Sequence, residues 1–213
     1  MNSPGKFISI EGGEGVGKST NIAFIEAWFK DKGIPLLVTR EPGGTPLAEE
    51  IRELLLSPRD ETVYPTTELL LMFAARAQHL HSVILPALNA GTWVLCDRFT
   101  DATYAYQGAG RGLARDVIAD LERLTQQGIK PDITLLLDMP VESGLQRAER
   151  RGELDRFEQE AISFFSSVRD EYLRLAASEP DRFRVIDASV SLEAVQRQIS
   201  TTLSACVSAV SGA

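Results

Sequence analysis

Residues Ile8-Ser9-Ile10-Glu11-Gly12-Gly13-Glu14-Gly15-Val16-Gly17-Lys18-Ser19-Thr20 decide how this chain is read. An apolar, β-branched run from Phe7 to Ile10 breaks into glycines and then into helix-forming sequence from Asn21 to Lys30, a strand, a loop and a helix. From Gly12 onward the pattern G-x-x-x-x-G-K-S is complete. Each part has a physical job, because the oxygens of a triphosphate must be met by donors at close range. Gly13, Gly15 and Gly17 let backbone N–H groups turn inward with no Cβ in the way, forming a concave nest. The helix that follows adds its unpaired first-turn N–H groups and the positive end of its dipole. Lys18 would then reach the β and γ phosphates, and the Ser19 hydroxyl would ligate Mg2+. A glycine turn that binds nothing is the bland alternative, and the flanking strand and helix argue against it.

The bulk properties exclude several classes. At 213 residues, 44% of them hydrophobic, the chain can bury a full core, and its length suits one domain. A net charge of −8 argues against a general nucleic-acid surface, which needs a basic face to displace counterions. Cys96 and Cys206 are too few and too far apart for a disulfide framework or a zinc site. No apolar run is long enough to span a bilayer, and Met1 to Lys6 lacks the apolar segment of a signal peptide, so the expected location is the cytoplasm.

Outward from the loop, Leu36 to Thr39 makes a second strand that runs into Arg40-Glu41-Pro42-Gly43-Gly44-Thr45. In an open α/β sheet such a loop faces the ligand crevice, although a turn with a surface ion pair would read the same way. Pro46 to Leu56 reads as a helix with Ile51, Leu54 and Leu55 on one side, and Arg52 facing either solvent or cleft. Thr67 to Leu88 is the longest helical pattern. Within it Met72, Phe73 and Arg76 cluster one turn apart, which suits a stacked and hydrogen-bonded nucleobase, or else ordinary core. His79 and His81 lie on different faces with no obvious acid and read as structural or solvent-facing.

A third strand, Trp93 to Cys96, closes with Asp97-Arg98-Phe99. An acid after an apolar strand is the Walker-B arrangement, and Arg98 adds a bidentate phosphate ligand that hints at a second phosphate group. Thr103 to Gly108 is polar and aromatic and runs into a glycine-rich loop through Gly112. After a helix from Leu113 to Gln127, Ile133 to Asp138 is a fourth strand, buried on both faces. Its Asp138 competes with Asp97, which the neighbouring Arg98 favours. The helix from Val141 carries Arg147, Arg150 and Arg151 into Arg151-Gly-Glu-Leu-Asp-Arg156, a segment that reads as closing over phosphates or as a solvated basic helix end. A long helix from Phe157 to Ala177, a fifth strand from Phe183 to Ile186 and a helix from Leu192 to Val207 complete the pattern, with 208–213 fraying. The alternation predicts a three-layer α/β/α fold on a five-stranded parallel sheet, with the active site at the carboxyl ends of its strands.

Taken together, the phosphate loop, Arg40-Glu-Pro-Gly-Gly, Asp97-Arg-Phe, Tyr106-Gln-Gly and Arg151-Gly-Glu-Leu-Asp-Arg resemble the bacterial thymidylate kinases over nearly the whole chain. The resemblance implies a P-loop nucleoside-monophosphate kinase fold in one domain spanning 1–213, with a lid at about 147–157. It also implies phosphoryl transfer from Mg-ATP to dTMP and a homodimer. Carried over residue by residue, Gly12, Gly13, Glu14, Gly15, Val16, Gly17, Lys18, Ser19, Thr20 and Arg147 would hold ATP, with Ser19 and Asp97 at Mg2+. Arg98, assisted by Arg40 or Arg52, would clamp the dTMP phosphate. Arg76 would bond the thymine edge, Met72 or Phe73 would cover the base, and Thr103 would face its Watson–Crick side. Tyr106 would pack near the deoxyribose, with Glu41, Gln107, Phe157 and Glu158 lining the same pocket. Lys18, Asp97, Arg98, Arg151 and Glu14 would be the catalytic groups. In one branch of the family an arginine inside the phosphate loop assists transfer, but the matching position here is Gly15. Lid arginines Arg147, Arg151 and Arg156 would supply that charge instead.

Two other readings remain in view. A kinase for another monophosphate would share most of these motifs. A GTPase-type switch would need N-K-x-D and D-x-x-G, and neither occurs in this chain.

Overall fold

The strand that precedes the phosphate loop, β1 (Phe7–Glu11), is buried along its whole length because it lies mid-sheet. In the computed structural model, which describes residues 5–149, 156–157 and 160–211, five parallel strands run in the order β2-β3-β1-β4-β5. The others are β2 (Leu36–Arg40), β3 (Trp93–Asp97), β4 (Ile133–Asp138) and β5 (Phe183–Asp187). The register sets Ile10 beside Asp97 and Glu11 beside Leu136. The end of β1 and the acid of β3 therefore emerge together.

Alternating side chains of the central strands feed two cores, which is why helices cover both faces. Ile8, Ile10, Leu95 and Leu137 pack with Ile25 and Phe29 of α1 (Lys18–Asp31) and with Val195, Ile199 and Leu203 of α9 (Leu192–Ser211). On the opposite face, Leu136 and Phe183 meet Phe165, Val168 and Tyr172 of α8 (Ile162–Ser178). Phe7, Val94 and Cys96 pack there with Leu80, Ile84 and Phe99. Each such fully buried side chain contributes about 1.5–3 kcal/mol of transfer free energy.

Helix α2 (Pro46–Leu56) starts where Thr45 Oγ1 accepts from the Ala48 N–H and Pro46 supplies the first helical φ. Its Ile51 and Leu55 turn inward, while Leu54, expected beside them, is half exposed. The long expected helix is divided into α3 (Pro65–His79), a π-helical turn at Leu80–Ile84, and α4 (Leu85–Asn89). Pro86 cannot donate to a carbonyl one turn back, and the ladder shifts register over one wide turn.

The polar and aromatic stretch is helical, and the helix takes in the start of the expected glycine-rich loop, leaving Arg111 and Gly112 as a turn. It forms α5 (Thr100–Thr103) and a π-helical segment, Tyr104–Gly110. Its glycines make room for neighbours: a Cβ on Gly110 would come within 2.5 Å of the Phe164 ring, and one on Gly108 within 3.2 Å of Ile118. Helices α6 (Arg115–Gln126) and α7 (Val141–Glu149) complete the set. At the carboxyl end α9 continues to Ser211, past the point where fraying was expected. Among the described residues no helix is long and apolar enough to cross a membrane.

Candidate active site

A cleft of about 430 Å³ opens above the carboxyl ends of β1, β2 and β3, where the strand order reverses direction. Its floor is the phosphate loop, and Glu14, Gly15, Val16, Gly17, Lys18, Ser19 and Thr20 all face it. Gly15 and Gly17 adopt φ of 68° and 92°, a left-handed backbone that favours glycine. Gly15 has a second reason to lack a side chain, since a Cβ there would lie 1.8 Å from the Gly144 carbonyl oxygen of α7. Gly12 and Gly13 sit one layer below, their carbonyls 3.4 and 3.3 Å from Lys18 Nζ. Burial and then the Arg98 charge lower the Lys18 pKa, against Glu14, Asp97 and Glu11, so this ammonium lacks a partner as anionic as a phosphate.

Arg98 occupies the left-handed region at φ 66°, a strain of about 1–3 kcal/mol for a non-glycine residue. Its N–H donates to the Ile10 carbonyl at 3.0 Å. Its guanidinium donates to Glu14 Oε1 at 2.7 Å and to the Gly12 carbonyl at 3.1 Å, and lies 4.6 Å from the Tyr106 ring centroid. Tyr106 donates to the same Glu14 oxygen at 2.8 Å. Asp97 lines the cleft with Ser19 and Lys18, and its Oδ1 is buried without a hydrogen-bond partner. Asp138, its rival from the sequence, is held by Arg169 through two bonds of 2.7 and 2.9 Å. A bare carboxylate oxygen beside a hydroxyl fits a hydrated divalent cation. Among the described residues no group of three or more His, Cys, Asp or Glu could hold a metal by itself, so a cation here would share phosphate oxygens.

At the other end Arg76 is buried between the Phe73 and Phe99 rings, 4.9 and 5.2 Å from their centroids. Its Nε donates to Glu41 Oε2 at 2.6 Å and its Nη2 to the Phe99 carbonyl at 3.2 Å. Its Nη1 has no partner, although the residue lines the cleft. Such an orphaned buried donor is costly, which marks where a ligand acceptor belongs. Met72, Thr103, Tyr106, Gln107 and Phe157 share this part of the lining.

A family model described as Thymidylate kinase matches residues 10–199. The chain belongs to the thymidylate kinase family. The reaction of that family is the phosphorylation of dTMP to dTDP with ATP, so the chain is a kinase acting on small molecules. The thymidylate kinase of Chromohalobacter salexigens is 63% identical over 203 residues, covering 94% of this chain and 96% of its own. That of Pseudomonas putida is 59% identical over 199 residues, covering 93% and 95%. A solved thymidylate kinase from Ehrlichia chaffeensis superposes with a TM-score of 0.75 at 32% identity, covering 94% of this chain and 99% of its own.

Of the residues singled out from sequence, some line the cleft as expected and others stand elsewhere. Arg40 is drawn to Glu49, in the first turn of α2, at 2.8 Å, and is outside the cleft lining. Phe73 is also outside it, packed with Leu69 and Ile118 behind Arg76, while Met72 faces in. His79, read from sequence as structural or solvent-facing with no obvious acid, is structural and fully buried and does meet an acid, with Nδ1 3.0 Å from Glu41 Oε1 and Nε2 2.7 Å from Thr39 Oγ1. Arg156 turns away from the phosphate loop toward Glu68 and the Leu55 carbonyl, at 2.6 and 2.8 Å. Arg52 and Arg147 line the cleft, bonding the Pro42 and Ala188 carbonyls at 2.9 and 3.4 Å. Arg151 and Glu158 lie outside the described residues.

Two residues beside the site were not singled out from sequence. Glu11 accepts from the Phe99 N–H at 2.6 Å and the Tyr172 hydroxyl at 2.8 Å. Burial first, and then the Asp101 charge, push its pKa up to about 8 against the pull of Arg98. An acid ending a buried strand was the available signal for Glu11. Tyr172, mid-way along an amphipathic helix, carried none.

Proposed function

We propose that this chain moves the γ-phosphate of ATP to dTMP across this cleft, with its residues in the following roles. The observation that carries the reading is the buried, unpaired Nη1 of Arg76, a residue that lines a cleft starting at a phosphate loop. A thymine carbonyl satisfies that donor. The amino group of cytosine, itself a donor, would leave it unpaired, so the site discriminates by hydrogen-bond polarity. Glu41 acts through Arg76 by holding its Nε, and Met72 covers the base. Thr103 faces the Watson–Crick side, Tyr106 crowds the sugar where a 2′-hydroxyl would project, and Gln107, Phe157 and Glu158 close the pocket.

Residues Gly12 to Thr20 hold the ATP phosphates through backbone N–H groups and Lys18, with Arg147 at the same end. Ser19 and Asp97 are the residues that would hold Mg2+, which would neutralise phosphate charge when bound. Arg98, with Arg52 assisting, takes the acceptor phosphate, and Glu14 orients Arg98. Arg151 supplies charge from a lid at about 147–157. Positioning and charge neutralisation do most of the work, because two polyanions must meet in line. Excluding water limits wasteful hydrolysis.

The whole chain acts as one domain in the cytoplasm, without nucleic acid or membrane. It works as a homodimer, supported by exposed apolar side chains on neighbouring helices: Leu47 and Leu54 of α2, Leu70 of α3, and Val117 and Leu124 of α6. The test is a transfer assay with Mg-ATP and each nucleoside monophosphate in turn. Preference for dTMP is expected, and preference for any other acceptor overturns the reading.

A further inference from the structure

Glu68 stands in the first turn of α3 with its carboxylate wholly buried. A buried carboxylate is costly unless it is met from several sides, and here three side chains from two segments donate to it. Oε1 accepts from Gln107 Nε2 at 2.9 Å and Arg111 Nε at 3.3 Å. Oε2 accepts from Arg156 Nη2 at 2.6 Å and Arg111 Nη2 at 3.4 Å. Both arginines lie against the Phe157 ring, Arg111 at 5.6 Å and Arg156 at 4.5 Å from its centroid. Gln107 and Phe157 line the cleft, and so does Leu56, whose carbonyl accepts from the Arg156 N–H at 3.4 Å. With Nε2 committed to Glu68, Gln107 retains Oε1, an acceptor that no described residue occupies.

We propose that Glu68 is a positioning residue for the acceptor nucleotide. Its carboxylate sets the Gln107 amide directly, and through Arg111 and Arg156 it sets the Phe157 ring, so one buried charge shapes the wall against which dTMP rests. An apolar side chain could fill the same space at lower desolvation cost, since buried ion pairs are poor sources of stability. What an apolar residue could not do is fix an amide and two guanidinium planes at once. The proposal rests on the assignment of dTMP to the Arg76 end of the cleft.

Calorimetric titration of dTMP and of Mg-ATP, separately, onto the full chain tests it. Glu68→Gln is expected to weaken dTMP binding about tenfold while Mg-ATP affinity stays within about twofold. Glu68→Asp keeps the charge but withdraws it by about 1.5 Å, and should fall between that variant and the native chain. If dTMP affinity is unchanged in both variants, or if both ligands weaken in parallel as a general loss of structure would cause, the positioning role is overturned. Arg76→Met, measured alongside, separates the two claims. If it too leaves dTMP binding intact, the acceptor assignment itself falls. If it abolishes binding while the Glu68 variants bind normally, only the role of Glu68 is lost.

Discussion

Arg98 holds a backbone conformation that non-glycine residues avoid, and its guanidinium is bonded to Glu14, an acid of the phosphate loop. Strain persists where surrounding contacts over-determine it, and here the Arg98 N–H to Ile10 bond and the Tyr106 ring do so. An arginine fixed in this way can meet a phosphate without first losing side-chain freedom. Arg98→Ala is therefore expected to weaken dTMP binding at least about tenfold more than ATP binding, read by calorimetry on each ligand. Equal losses for both ligands would place Arg98 on the wrong substrate. Arg151 has a different expected signature. Its replacement by alanine should lower kcat by about 10³-fold, as for other arginines that stabilise charge in phosphoryl transfer, and an unchanged kcat would remove it from the transition state.

At the scale of elements, the phosphate loop reads as three equivalent glycines in sequence and as three different ones in space. Gly13 has open space where a Cβ would go and an ordinary φ, whereas Gly15 has a left-handed φ and the Gly144 carbonyl in the way. Gly13→Ala should shift stability by no more than about 0.5 kcal/mol. Gly15→Ala should cost about 2–4 kcal/mol through strain and overpacking, with urea midpoints as the measurement. Most of the strands were legible because they are short apolar runs, whereas the fifth carries Arg184 within it. Helix α2 was legible because a proline marks its start and apolar residues recur along one side. The π-helical Tyr104–Gly110 segment was not, since glycines that admit a neighbouring ring look identical to glycines that make a loop until Phe164 is in place. The same limit applied to His79 and Arg156. Their partners, Glu41 and Glu68, lie 38 and 88 residues away in the chain, beyond any local pattern.

Over the whole molecule, two properties follow from what is buried and what is not. Leu54 and Leu70 expose about half of their area on adjacent helices. The proposed homodimer predicts that the native chain sediments as a dimer and the Leu54→Glu, Leu70→Glu double variant as a monomer. Equal sedimentation of the two would refute the assigned surface. Glu11 links stability to pH. Its folded-state pKa of about 8 lies above the ordinary 4.5, so between those values the folded chain holds a proton that the unfolded chain releases. Its contribution is fully present below the lower value and is lost as pH rises through the upper one. Melting temperature should fall from about pH 5.5 to about pH 8.5, and the fall should be shallower in Glu11→Gln. Parallel curves would show that Glu11 does not govern it.

The close approach of Gly15 to Gly144 joins two main chains with no side chain between them. Helix α7, which holds Gly144, runs directly into the arginine-bearing stretch beyond Glu149. The phosphate loop and helix α7 are thus held backbone to backbone. Ordinary exchange of side chains cannot loosen such a joint. It also leaves no room at position 15 for any side chain grown from the loop itself.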